Sequence, residues 1–358
     1  MPLLGDERGD SAALIGLHST ALALGTIVSG LTQRRLVARL GRRRTMWGGW
    51  AVVLAAVLLL TQQLAGTPPA AVTLLAAALA AWGGSSMLNA SSPALMDHHG
   101  AGGAAAVTEA NALAAGVGAV APLVIGAALS AGAGWRVGLL LVLPIIAALW
   151  LVMRATPIPD APPDPGGVGA RPLPAAFWWA WAVVVLSVAV EFCWTIWGTT
   201  LVAERTGVSP ALAAGALSAF ILGIALGRLG GARLALRMAT ETLLLGALVV
   251  CGIGWALAWT ASSLPLAVVG LGLAGLGVAV QFPLGVARAI DASAGQGDLA
   301  TGRVSLGVGA AVGLAPFALG WLADRVGLQQ AFLVVPALLV AAAGTLVLGE
   351  RRTAGRGR

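Results

Sequence analysis

An all-α membrane protein made of two related helical bundles is the fold class this sequence predicts, and three observations predict it. Eleven apolar runs of bilayer-crossing length are separated by short polar turns. Across 358 residues the composition is 58% hydrophobic and only 10% charged, too little charge to cover a water-soluble globule. A basic turn, Gly30–Arg44 (GLTQRRLVARLGRRR), recurs in spacing 198 residues later at Leu222–Thr242, with Gly25 on Gly223, Arg35 on Arg233, Leu36 on Leu234 and Arg39 on Arg237. Two copies of one arginine turn between apolar spans imply two related halves.

The spans are numbered 2 to 12, with 1 kept for a helix that the repeat implies ahead of them. Span 2 is Ser11–Leu31 and span 3 is Met46–Ala65, joined by the arginine turn. Span 4, Ala70–Leu95, ends in Met96-Asp97-His98-His99-Gly100. Span 5 is Ala104–Ala131, and Gly134-Trp135-Arg136 turns it into span 6, Val137–Met153. The proline and glycine of Arg154–Pro174 exclude a helix and read as an extended linker. Spans 7 to 12 follow at about 175–203, 210–230, 241–260, 264–288, 301–322 and 329–348. The domain reading is a first bundle over 1–154, a linker over 155–174, a second bundle over 175–350 and a basic tail over 351–358.

The halves match again near their ends, where Ala121-Pro122 and Gly126 fall on Ala315-Pro316 and Gly320 at an offset of 194. At the 198 offset, Leu3–Leu14 falls on Leu201–Leu212, the outer end of span 7. The chain is therefore expected to begin where its first span should have ended, as an incomplete copy of a twelve-helix pattern. A start assigned too far downstream and a true truncation both account for this.

Arginine placement sets the expected orientation. With Gly30–Arg44 inside, the inner side collects its six arginines together with Arg154, Arg171, Arg228, Arg233, Arg237, Arg288, Arg303 and the tail. The outer side holds only Arg8, Arg136, Arg205 and Arg325. That asymmetry is the positive-inside pattern of a multi-pass protein, and it argues for topology over a nucleic-acid face. Cys193 and Cys251 both lie inside apolar runs and read as small apolar fillers.

The turn between spans 2 and 3, the duplicated half and the proline-rich central loop resemble the major facilitator superfamily over essentially the whole chain. The resemblance implies secondary transport by two six-helix bundles around a midplane cavity, with spans 1, 4, 7 and 10 lining it. Of the family's first-loop pattern G-x-L-a-D-R-x-G-R-R, Arg39, Leu40, Gly41, Arg42 and Arg43 match, while Arg34 replaces the first glycine and Ala38 the aspartate. In the family that aspartate helps latch the inner side, so Asp97 or Glu109 is expected to replace it as partner of Arg39. Gly118, Ala121-Pro122 and Gly126 match part of the family's antiporter motif and point toward export.

The arginines at 35, 39, 42 and 43 would share one helical face. That face serves either a conformational latch holding carboxylates or lipid phosphates, or topology alone. Glu191 lies deep in span 7 with no arginine within a helical turn. Such an acid is costly in lipid unless it faces water or a partner, which suits a proton carrier; a structural carboxyl bonded to a neighbouring helix is the alternative. Trp194, Thr195 and Gly198 follow Glu191 on a helical stripe, and Trp82, Ser85, Ser86 and Asn89 form another in span 4. Both stripes, with Gln281 in span 10, are expected to line the substrate cavity, although serines in spans also serve as packing residues. One acid without a fixed arginine leans toward neutral or cationic amphiphiles.

No metal or cofactor site is expected: His98 and His99 are adjacent and diverge on a helix, and no HExxH occurs. His18 reads as a hydrogen-bonded structural histidine. No G-x-S-x-G or other catalytic constellation supports an enzyme. The expected protein is a proton- or ion-coupled small-molecule transporter, monomeric in the plasma membrane among lipids, with a cytoplasmic C-terminus and no nucleic-acid partner. A non-transporting remnant or membrane sensor, following loss of span 1, is the competing reading.

Overall fold

The computed structural model describes residues 12–61, 69–132, 134–160 and 172–354. The readings made for residues 3–11, 161–171 and 355–358 lie outside them. Among the described residues every regular element is a helix: α1 (Ala12–Leu60), α2 (Ala70–His99), α3 (Gly103–Ser130), α4 (Trp135–Leu140), α5 (Val142–Met153), α6 (Ala175–Thr206), α7 (Pro210–Ala235), α8 (Thr240–Thr260), α9 (Leu264–Val278), α10 (Gln281–Asp291), α11 (Gly297–Val326), α12 (Leu328–Ala331) and α13 (Val334–Ala354), with a 3₁₀ turn at Gly100–Gly102.

Nine helical stretches among the described residues are long and apolar enough to cross a membrane, fewer than the eleven runs expected. The difference lies in Thr20–Leu60 and Ala70–Ala114, of 41 and 45 residues. At ~1.5 Å per residue each is about twice as long as a ~30 Å hydrocarbon core. The first is interrupted at Gly41, whose φ of 77° only glycine adopts readily. Gly25 lies against the Ala78 carbonyl of α2, and Gly49 lies against Gly83. Twenty-four residues separate Gly25 from Gly49, yet only five separate Ala78 from Gly83. α1 is therefore two arms folded back on each other, spans 2 and 3, with the arginine turn at the bend. The second long stretch is interrupted at Gly100 (φ 51°) by the 3₁₀ turn.

Helix ends elsewhere follow local chemistry. α6 stops at left-handed Gly207 (φ 66°). Ser209 then caps α7 by accepting a hydrogen bond from the Leu212 amide at 3.4 Å, with Pro210 at the first helical position.

The repeat reappears in packing. Gly25 abuts Ala78, and its equivalent Gly223 abuts the Gly272 carbonyl, where 272 is 78 displaced by 194. Gly83 abuts Gly49 on the second arm of α1, and its equivalent Gly277 abuts Cys251 on α8. At each of these glycines a Cβ would collide with backbone. Lipid offers no hydrophobic drive between helices, so such backbone approach is a main source of helix association.

Two compact units emerge. The first gathers Met1–Ala94, Ala114–Pro165 and Thr301–Gly309; the second gathers Leu95–Leu113, Gly166–Ala300 and Ala310–Arg358. Each unit thus includes one short segment from the other half of the sequence, and at the 194 offset 301–309 corresponds to 107–115, overlapping 95–113. The core of the second unit is built from Val190, Cys193, Trp194, Phe220, Leu271, Phe332 and their neighbours.

Candidate functional site

In the first unit the arginine turn is organised by an acid from the central linker. Asp160 Oδ1 accepts a hydrogen bond from the Arg42 amide at 3.1 Å, at the start of the second arm of α1. The Arg42 side chain is 1% exposed and donates through Nη1 to the carbonyls of Pro159 (3.2 Å) and Asp160 (3.4 Å). The Thr45 hydroxyl donates to the Gly41 carbonyl at 2.8 Å. Arg42 is therefore enclosed rather than displayed to lipid. Arg39 is exposed and Arg43 partly so. Asp97 and Glu109 are exposed and fall in the second unit, whereas Arg39 falls in the first. The acid seen at the turn is Asp160, which sequence reasoning missed because its linker reads only as extended chain.

The span 4 stripe meets a matching polar stripe on the first arm of α1. Trp82 Nε1 donates to Thr32 Oγ1 at 3.2 Å, and Ser85 Oγ donates to Thr26 Oγ1 at 3.4 Å. Ser86 and Ser29 share a hydrogen bond at 2.9 Å, and Asn89 Nδ2 donates to Ser29 Oγ at 3.4 Å. Asn89 also receives Thr301 Oγ1 on its carbonyl (3.0 Å) and Ser305 Oγ on its Oδ1 (2.8 Å). Ser86 and Asn89 are buried in this network, and Trp82 and Ser85 are half-buried. Thr26, Ser29 and Thr32 recur every three residues in an apolar run, a signal that could have found them. His18 bonds Thr73 at 2.9 Å in the same unit, the structural role expected of it.

In the second unit Glu191 is half-buried on α6. The sequence shows no cation near it, but α7 brings Arg228 within electrostatic reach of its carboxylate. Arg228 also donates to the carbonyls of Ala279 (3.3 Å) and Asn111 (3.5 Å). With a cation within electrostatic reach of the acid, the ground for a lean toward cationic substrates is removed. Residues expected to share Glu191's face diverge. Trp194 is wholly buried, its ring 5.0 Å from Phe332 and 6.2 Å from Phe220. Thr195 is exposed and bonds the Glu191 carbonyl at 2.8 Å. Gln281, wholly buried at the break between α9 and α10, donates to the Gly277 carbonyl at 3.0 Å. Trp194 and Gln281 thus sit in helix–helix packing of this unit. Both cysteines are free and buried, and no cluster of metal-ligating side chains occurs among the described residues.

Comparison with known proteins supplies the remaining findings. The sequence profile of the Major Facilitator Superfamily matches the chain twice, over residues 1–216 and 180–357. No curated protein sequence matches it. The fold is similar to FucP, a Major Facilitator Superfamily transporter in the outward conformation, with a TM-score of 0.81 and 15% identity over 98% of this chain and 93% of that one. It is similar to a bacterial homologue of the iron transporter ferroportin in an outward-facing state, with a TM-score of 0.74 and 13% identity over 98% and 93%. For the human organic anion transporter MFSD10 (TETRAN) the TM-score is 0.72 and the identity 17%, over 92% and 82%. Identities this low carry the fold and no substrate.

Proposed function

This chain belongs to the Major Facilitator Superfamily, which makes it an integral, multi-pass membrane transporter, and we propose that it moves a small molecule by alternating access, driven by protons. The observation that carries the proton reading is Glu191, a carboxyl group within a membrane-crossing helix and within electrostatic reach of Arg228. An ionisable group so placed is costly unless it is paired or does work there. A proton arriving at Glu191 removes the negative charge that attracts Arg228, whose guanidinium also donates to the Ala279 carbonyl at the end of α9 and the Asn111 carbonyl on α3. The proton's presence is thereby converted into a change of helix contacts, which is the requirement for coupling.

The arginine turn, Arg39, Gly41, Arg42 and Arg43, with Arg42 held by Asp160, is the inner-side clasp in this reading. It faces the cytoplasm together with the linker and the tail, and the protein is a plasma-membrane monomer. The partial antiporter motif in span 5 favours efflux. The test is accumulation of amphiphilic dyes in proteoliposomes under an imposed pH gradient. Glu191→Gln is expected to abolish gradient-driven accumulation while retaining dye exchange at equal pH. Full gradient-driven accumulation by that variant excludes the role.

A further inference from the structure

Where the first arm of α1 meets Thr301–Gly309, both within the first unit, the packing is unusually close and one polar group is left over. The Gly30 and Gly302 backbones touch, so that a Cβ on Gly302 would lie 2.7 Å from the Gly30 carbonyl and 3.3 Å from Gln33 Cβ. Ile27 packs the far end of the same seam, its Cγ1 2.8 Å from where a Cβ on Gly309 would be. Beside it runs the polar network of Ser29, Ser86, Asn89, Thr301 and Ser305. Gln33, one helical turn beyond Ser29, is 0% exposed, and neither its Nε2 nor its Oε1 has a hydrogen-bond partner among the described residues.

A seam can be closed tightly by glycines or loosened by an unsatisfied amide, and this one carries both. A buried amide with no partner costs far more than one hydrogen bond typically contributes. We propose that Gln33 is a positioning residue that holds this seam near the point of opening: glycine contact and the Asn89 network close it, and the amide favours any state in which it regains water or a partner. The proposal rests on the alternating-access reading, since only a protein that must part its helices gains from a destabilised contact. It also accounts for the second unit, where Gln33's equivalent at the 198 offset is Gly231, packed on Val280 with no amide to satisfy.

The test is amide hydrogen exchange on the purified chain in lipid nanodiscs without substrate, read on peptides covering 26–33 and 301–309. Gln33→Met keeps length and removes the polar atoms. It is expected to slow exchange in both peptides together by on the order of tenfold. Ser305→Ala, which removes a bond that closes the seam, is expected to speed exchange in the same two peptides. Unchanged or faster exchange in the Met variant overturns the proposal, since the amide is then already satisfied. Should Met fail to fold, Gln33→Leu carries the same expectation. Exchange in the two peptides responding independently also overturns it, because the seam then does not open as a unit. No transport is measured here, so a failure of proton-driven accumulation and a failure of this proposal remain separate results.

Discussion

Replacing Asp160 tests whether the central linker fastens the arginine turn through a hydrogen bond or through charge. Asp160→Ala removes the acceptor at 3.1 Å from the Arg42 amide and leaves the Pro159 and Asp160 carbonyls to hold the Arg42 guanidinium. The lost contact resembles an N-cap, whose removal costs about 1 kcal/mol. The full cost of a stranded buried guanidinium does not apply while those carbonyls stay in place. A ~1 kcal/mol loss corresponds to about fivefold faster exchange of amides at the start of the second arm of α1. Asp160→Asn keeps an oxygen acceptor in the same place and should sit within about twofold of the parent, since the net charge matters little at an exposed site. Hydrogen exchange on a peptide covering 37–47 reads both. If Asn is as damaging as Ala, charge and not geometry fastens the turn. If neither changes exchange, the linker does not fasten it.

Three further outcomes can be checked. A cysteine placed at 166 or 355 should resist an impermeant reagent applied from outside intact cells, and labelling at either position overturns the orientation. Gly223→Val should destabilise the second unit by ~1–3 kcal/mol through overpacking against Gly272, seen as earlier thermal exposure of the buried Cys251 thiol to a reactive dye. Gly215→Ala, with nothing within 4 Å of the added methyl, is the matched control and should not lower that temperature; equal behaviour of the two removes the close-packing argument. Gly41→Ala should disturb the turn more than Asp160→Ala, since it combines an unfavourable φ of 77° with a methyl 2.9 Å from Asp160 Oδ1, and the 37–47 peptide should exchange faster still.

The spans were legible because hydropathy needs only composition along the chain, and the turns were legible because glycine and proline interrupt helices for local reasons. Gly41, Gly207 and Pro210 mark reversals that any reading of φ requirements would find. What stayed hidden is rotation about the helix axis. The stripe from Glu191 through Trp194 to Gly198 identifies residues near one another on α6, but not what that side meets; Trp194 turns to the core while Thr195 stays exposed. Arg228 was invisible as a partner for Glu191 because 37 positions and a helix reversal separate them. Asp160 was missed because an acid in a proline-rich stretch carries no periodicity to say where it docks.

The two halves share a contact skeleton but fill it with different chemistry. At the 198 and 194 offsets, Ser29 and Gln33 of the first unit correspond to Gly227 and Gly231 of the second, and Ser86 and Asn89 correspond to Val280 and Pro283. The first unit therefore places a buried neutral polar network where the second has glycine against Ala279 and Val280. Charge is distributed the opposite way: Gly30 touches the backbone of Gly302, whereas its equivalent Arg228 reaches the carbonyl of Asn111 and lies within electrostatic reach of Glu191. A neutral network is indifferent to pH over the physiological range, and a carboxylate–guanidinium pair within a span is not. If transport is proton-driven as proposed, that chemistry assigns the proton's influence to the second unit, while the first supplies a contact set by glycine packing and neutral hydrogen bonds. Changing Gln33 should therefore move opening equally at every pH, whereas changing Glu191 should move the pH dependence itself.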